Sequence, residues 1–239
     1  MHPPSAPCGG IHSLLAWWGF VVGSAEAYRH FAGHFAKRVQ AAVFIADYRL
    51  APEHSFPAAL EDAHAAYLGL LAEGATQIVV VGDSAGGGLS LSLLSLLQTE
   101  AAKTTHQPAA AVVMSPWTDL SLSGESIASK ADEELYLTKD TLQSYADMYL
   151  GGEKASHPQA SPLNALLHGL PPLQIHVGTS EVLLDDSVRY TQRAHAEAAN
   201  VSLHSWEGMP HVFQSSPGIL QAADQSLEIM TSFISSHLK

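Results

Sequence analysis

Cysteine is nearly absent from this chain of 239 residues; Cys8 is the only one. A single thiol excludes an internal disulfide framework and a zinc site built on cysteines. Positive charge is scarce as well. Eleven Lys and Arg stand against 23 Asp and Glu, for a net charge of −12, and no basic cluster occurs anywhere. A nucleic-acid-binding surface is therefore not expected. No apolar run approaches the roughly 18 residues that a membrane span requires. Leu14–Val22 is long enough for the core of a secretory signal, but the residues before it carry no Lys or Arg, so a cytoplasmic location is the default expectation. Repeats, charge blocks and low-complexity linkers are missing too, which leaves a single domain over 1–239.

What is present is apolar residue in quantity, 46% against 14% charged, enough for one sizeable core. Its distribution alternates between two periods. Ser24 reads as the cap of a helix running to about Val39, with Tyr28, Phe31, Phe35 and Val39 on one face. Short continuous apolar runs at 41–47, 77–82, 110–115, 173–177 and 201–206 suit strands buried on both faces. Helical patterns at about 57–71, 86–100, 183–199 and 219–236 separate and close them. The class expected is α/β, a mainly parallel sheet covered on both faces. Between 120 and 172 the alternation lapses into helices such as 138–150, an insert expected above the C-terminal ends of the strands.

Those strand ends are where parallel α/β sheets build their sites. The segment "VVVGDSAGGGLS" places Gly82-Asp83-Ser84-Ala85-Gly86 at one of them. A G-x-S-x-G turn between strand and helix holds serine in a tight conformation with its Oγ exposed, and small neighbours let the two backbones approach. Ser84 is the candidate nucleophile. A serine of this kind needs a base, and the base an orienting carboxylate, in the chain order Ser, acid, His. With 14 histidines, content alone selects nothing. Of those after the later strands, His195 falls in a helix, His204 in a strand and His237 in the tail. His211, in "EGMPHVF", falls on a loop after the last strand and is the candidate base. The acid is expected in "GTSEVLLDDS", where Glu181 lies nearest the strand end. Asp185 and Asp186 read better as first-turn residues complementing a helix dipole. His30 and His34 are four apart on a helix, but Phe31 stands where a metalloprotease helix would carry its glutamate, so no metal site is expected there.

Taken together, "DYRLAPEHSFPAALEDA", "GDSAGGGLS", "SPWTDLS", "GLPPLQIHVGTSEVLLDDS" and "GMPHVF" resemble the hormonesensitive-lipase-like esterases of the α/β-hydrolase fold, in family order and from Phe20 onward. The resemblance implies hydrolysis of short-chain carboxylic esters without metal or organic cofactor. It implies Ser84, Glu181 and His211 as the triad and the Ala85 N–H as one oxyanion donor. The partner implied is a small ester; a homodimer is a separate expectation, with no residue of the sequence deciding it.

One stretch departs from that pattern. The family carries His-Gly-Gly-Gly-Phe just before "VVGS", and its glycine N–H groups complete the oxyanion hole. Here the aligned residues are Ala16-Trp17-Trp18-Gly19-Phe20. Trp18 and Gly19 then stand where those donors belong, and two indoles crowd a place that must admit a reacting carbonyl. A reading-frame shift accounts for it. Tryptophan has one codon, TGG; if Ala16 is GCA, reading one base later gives CAT GGT GGG, His-Gly-Gly. On this reading residues 1–19 are not family sequence and early covering elements are missing. The chain as written is then expected to be poorly soluble and weakly active. The rival expectation is a crippled or non-catalytic hydrolase-fold protein that binds small molecules.

Overall fold

The computed structural model describes residues 11–17, 20–100 and 107–238. Six strands form one wholly parallel sheet: β1 (Ile11–Trp17), β2 (Ala42–Ile45), β3 (Ala75–Asp83), β4 (Ala110–Met114), β5 (Leu173–Gly178) and β6 (Val201–Trp206), in the order β2-β1-β3-β4-β5-β6. The α-helices between and after them are α1 (Ala25–Val39), α2 (Ala58–Ala72), α3 (Ser84–Glu100), α4 (Ser126–Ser129), α5 (Lys139–Leu150), α6 (Leu184–Ala196) and α7 (Gln221–His237).

The strand period sorts the core into two layers. Val79 and Val81, with Ala110, Val112 and Met114, pack against Phe35 of α1 and Leu227, Met230 and Ile234 of α7. The alternate residues Ile78, Val80, Ala111 and Val113 join Leu60 and Tyr67 of α2, Leu89 and Leu93 of α3 and Tyr190 of α6 on the other face. Residues two apart on a strand point the same way, so a run apolar at every position feeds both layers. Ser24 caps α1 through its Oγ, which accepts the Ala27 N–H at 3.2 Å.

Two readings of the sequence change. The stretch Ile11–Trp17, which the sequence pattern assigns to no element, is a strand seated between β2 and β3, and it ends with Trp17 opposite Gly82. Helix α3 starts at Ser84 itself, two residues before Gly86, so the nucleophile candidate opens the helix. The insert between 120 and 172 carries α4, α5 and one 3₁₀ turn at Pro162–Asn164. Phe20 stacks on Tyr149 of α5 with ring centroids 3.7 Å apart. Residues 1–10, 18 and 19 lie outside the described residues, and with them Cys8, Trp18 and Gly19.

Candidate active site

The β3–α3 junction is built by its small residues. A Cβ on Gly82 would collide with the Gly86 carbonyl and the Ser90 hydroxyl, so no other residue fits between strand and helix. Ser84 takes a φ of +53°, a left-handed conformation that a side chain adopts only under constraint. The Ala85 N–H belongs to the first turn of α3, where backbone donors have no partner within the helix.

His211 comes from the loop after β6. Gly178 at the end of β5 lets that loop pass, since a Cβ there would collide with the Met209 carbonyl. His211 Nε2 lies 2.9 Å from Ser84 Oγ, and its Nδ1 lies 2.6 Å from Glu181 Oε2. A carboxylate only accepts, so Nδ1 carries the proton and Nε2 is free to accept from the serine. Glu181 is wholly buried. Its other oxygen, Oε1, accepts the Gly178 N–H at 2.7 Å and the Ser115 hydroxyl at 2.8 Å. Burial alone would push the His211 imidazole down. The hydrogen bond and charge of Glu181, joined by the charges of Glu134 and Asp83, more than offset this and hold it above its ordinary value.

A cleft of about 360 Å³ opens onto Ser84 and His211, walled by Val22, Tyr28, Asp83, Tyr136 and Val212 among others. Of these, Tyr136 and Val22 are 68% and 56% exposed. A larger hollow of about 530 Å³ runs along α1 past His30, His34, Lys37 and Arg38. His34 Nδ1 there meets Arg38 at 3.0 Å. Among the described residues, no three His, Cys, Asp or Glu side chains are grouped to hold a metal ion, and no helix is long and apolar enough to cross a membrane.

The remaining candidates go elsewhere. His195 meets the Val201 carbonyl at 2.7 Å, His204 stacks on His176 in the sheet, and His237 ends α7. Asp185 and Asp186 occupy the first turn of α6. Their carboxylates also fasten the insert: Asp185 accepts the Ser126 N–H at 2.8 Å, and Asp186 the N–H groups of Thr118 and Asp119 at 2.6 and 2.9 Å. The sequence reading missed Ser115. Its signal was a small polar residue ending an apolar strand, on the side of the sheet where sites form.

Comparison with known proteins identifies the family and the fold. The family model of the alpha/beta hydrolase fold matches residues 19–215. The chain is similar to an acetyl-hydrolase of Streptomyces hygroscopicus, 38% identical over 233 residues, 97% of this chain and 77% of the relative. It is similar to an esterase of Acinetobacter venetianus, 33% identical over 220 residues, 91% and 72% of the two chains. A solved esterase from the bacterial hormone-sensitive lipase family matches with a TM-score of 0.92 and 39% identity, over 98% of this chain and 80% of that one.

Proposed function

We propose, for a chain that belongs to the α/β-hydrolase fold family and is a carboxylic ester hydrolase within it, the cleavage of short-chain esters through an acyl-enzyme on Ser84. The observation that carries this is the unbroken line Ser84 Oγ, His211 Nε2, His211 Nδ1, Glu181 Oε2, with spacings of 2.9 and 2.6 Å at its two hydrogen bonds. Ser84 Oγ attacks the ester carbonyl while His211 takes its proton at Nε2. Glu181 stabilises the imidazolium so formed and fixes the ring orientation. The Ala85 N–H donates to the developing oxyanion. His211 then returns the proton to the departing alcohol, and the same base activates the water that releases the acid.

The cleft supports small, uncharged acyl groups: Val22, Tyr136 and Val212 contribute apolar surface, and its walls carry no Lys or Arg among the described residues. The competing reading, a fold of this kind that binds without turnover, draws on Ala16-Trp17-Trp18-Gly19 in place of a glycine run. A fluorophosphonate probe separates the two. Covalent labelling of Ser84, absent in Ser84→Ala, together with hydrolysis of p-nitrophenyl acetate, supports the esterase. An unlabelled, folded protein overturns it.

A further inference from the structure

Away from the cleft, another hollow of about 420 Å³ lies between the C-terminal half of α3 and the segment that follows α5. That volume falls among small-molecule sites, roughly 300–1,000 Å³. Ser95 and Thr99, four apart and so on one face of α3, form one wall. His157, Pro158, Asn164 and Leu166 form the other. At the rise of an α-helix the hollow lies about 16–22 Å along α3 from Ser84. It shares no described lining residue with the cleft.

The wall opposite α3 is fastened in place by the rest of the fold. Glu197 accepts the N–H groups of Leu167 and His168 at 2.7 and 3.0 Å, and Arg193 donates to the Ala165 carbonyl at 3.1 Å. The His157 ring packs on Phe56 with centroids 5.0 Å apart. Its Nδ1 accepts the Gln159 N–H at 3.2 Å, so the neutral ring carries its proton on Nε2 and has a donor there. Walls already fixed spare a ligand the cost of ordering them.

The chemistry of these walls calls for a neutral ligand rich in hydroxyls. They carry no Asp, Glu, Lys or Arg among the described residues, so an ion would find no countercharge. Ser95 lines the hollow while only 6% exposed, and its hydroxyl has no hydrogen-bond partner among the described residues. A buried polar group in that state gains from a ligand that supplies the missing bond. Thr99 Oγ1 already donates to the Leu96 carbonyl at 2.7 Å and remains as an acceptor. The Asn164 amide both donates and accepts. Leu166, 58% exposed, and Pro158 add apolar surface beside these groups. A sugar ring matches the combination, with hydroxyls around its rim and C–H groups on its faces.

We infer that the hollow between α3 and residues 157–166 binds a hexose unit. Ser95, His157 and Asn164 take its hydroxyls, and Leu166 and Pro158 lie against the ring. The inference is independent of the role proposed for Ser84.

The test is a titration of the full isotope-labelled chain with D-glucose, followed by amide NMR, with inorganic phosphate as a charged control. Glucose should produce saturable shifts at Ser95, Thr99 and residues 157–166, with a dissociation constant in the millimolar range. Ser95→Ala removes the hydroxyl without adding bulk and should weaken binding about fivefold, the worth of one neutral hydrogen bond. Thr99→Trp, at an exposed position, fills the hollow and should abolish the shifts while the melting temperature holds. If that variant does not fold, Asn164→Trp blocks the hollow from the opposite wall, again at an exposed position. Absence of saturable shifts with glucose overturns the inference, and so does binding that Ser95→Ala leaves unchanged. Shifts with phosphate in place of glucose make the hollow an anion site. Glucose shifts at Val22 and Val212 instead place the sugar in the cleft. Either result also overturns the inference.

Discussion

Ser115 donates its hydroxyl to Glu181 Oε1 at 2.8 Å, and the same hydroxyl oxygen accepts the N–H of Val212 at 3.1 Å. One buried oxygen thus ties the acid to the residue after the base. Glu181 and His211 come from different loops, after β5 and after β6, and their alignment depends on cross-links of this sort.

Ser115→Ala should therefore loosen the site without emptying it. Glu181 keeps the Gly178 N–H but loses its second fixed donor on Oε1. A buried hydrogen bond of this kind is worth about 1 kcal/mol, so kcat on p-nitrophenyl acetate should fall roughly fivefold. KM should change little, because Ser115 does not line the cleft. An unchanged kcat would assign Ser115 to the fold alone.

Among the carboxylates, Glu181→Gln should cost about 10³–10⁴ in kcat, because a neutral amide cannot hold His211 in the productive tautomer. Asp185→Asn should cost far less, since its partner is the Ser126 N–H. Asp186→Asn should lower the melting temperature more than the rate: its carboxylate joins α6 to the 118–119 backbone, away from His211. Steady-state kinetics and thermal melts on the three variants check the division of roles. A rate loss at Asp185 equal to that at Glu181 would transfer the acid role.

Much of this was legible in local pattern. The elbow declares itself because strand, glycines, serine and helix are contiguous, and Glu181 stands out as the first carboxylate after a clear strand. The other parts depend on contacts far apart in sequence. Tyr28 reads as one more aromatic on an amphipathic helix until its hydroxyl reaches Asp83. Ile11–Trp17 has the length and apolarity of a strand, but the adjacent indoles and the signal-like run Leu14–Val22 hide its place inside the sheet. Asp185 and Asp186 suit a helix N-terminus so well that sequence gives no hint of their hold on the insert.

Acid should destabilise the fold through His176. Its ring is wholly buried in β5, with Nδ1 accepting from Trp206 at 3.3 Å and Nε2 facing Gln174 at 3.3 Å. Burial, then the neighbouring His204, push it down to about 3. The folded value lies below the unfolded one, so the unfolded chain takes the proton first. Stability from this residue is whole above about pH 6.5 and is lost progressively as pH falls towards 3. Melting temperature should therefore drop between pH 7 and pH 5, and His176→Gln should show a shallower drop. An equal drop in both proteins would place the acid sensitivity elsewhere.

Strand β2 pairs with β1 on one side and, among the described residues, with no strand on the other. Phe44 stands on it 43% exposed. An open edge carrying an exposed aromatic favours association, and a charge there opposes it. Phe44→Lys should increase the monomer fraction in size-exclusion chromatography at unchanged specific activity. A monomeric unaltered chain would remove the premise.

The strongest expected gain in rate lies at the end of β1. Trp17, the last residue of β1, pairs opposite Gly82, two positions before Ser84 on the neighbouring strand. Trp18 and Gly19 themselves are outside the described residues. On chemical grounds an ester carbonyl at Ser84 needs a second backbone donor besides the Ala85 N–H, and bulky side chains hinder backbone from approaching it. One oxyanion donor is worth about 10²–10³ in kcat. The combined change Ala16→His, Trp17→Gly, Trp18→Gly should raise kcat on p-nitrophenyl acetate, up to that factor if the restored glycine N–H reaches the oxyanion. The gain should fall short of it where two glycines weaken the end of β1, since glycine costs a strand order. Because the donor acts on the transition state, the gain should appear in kcat more than in KM. The coding sequence offers an independent check, as an Ala16 codon other than GCA removes the frame-shift explanation. If the unaltered chain already turns over esters at full rate and the triple change slows it, Trp17 and Trp18 are working parts of the pocket, with their own N–H groups facing the oxyanion.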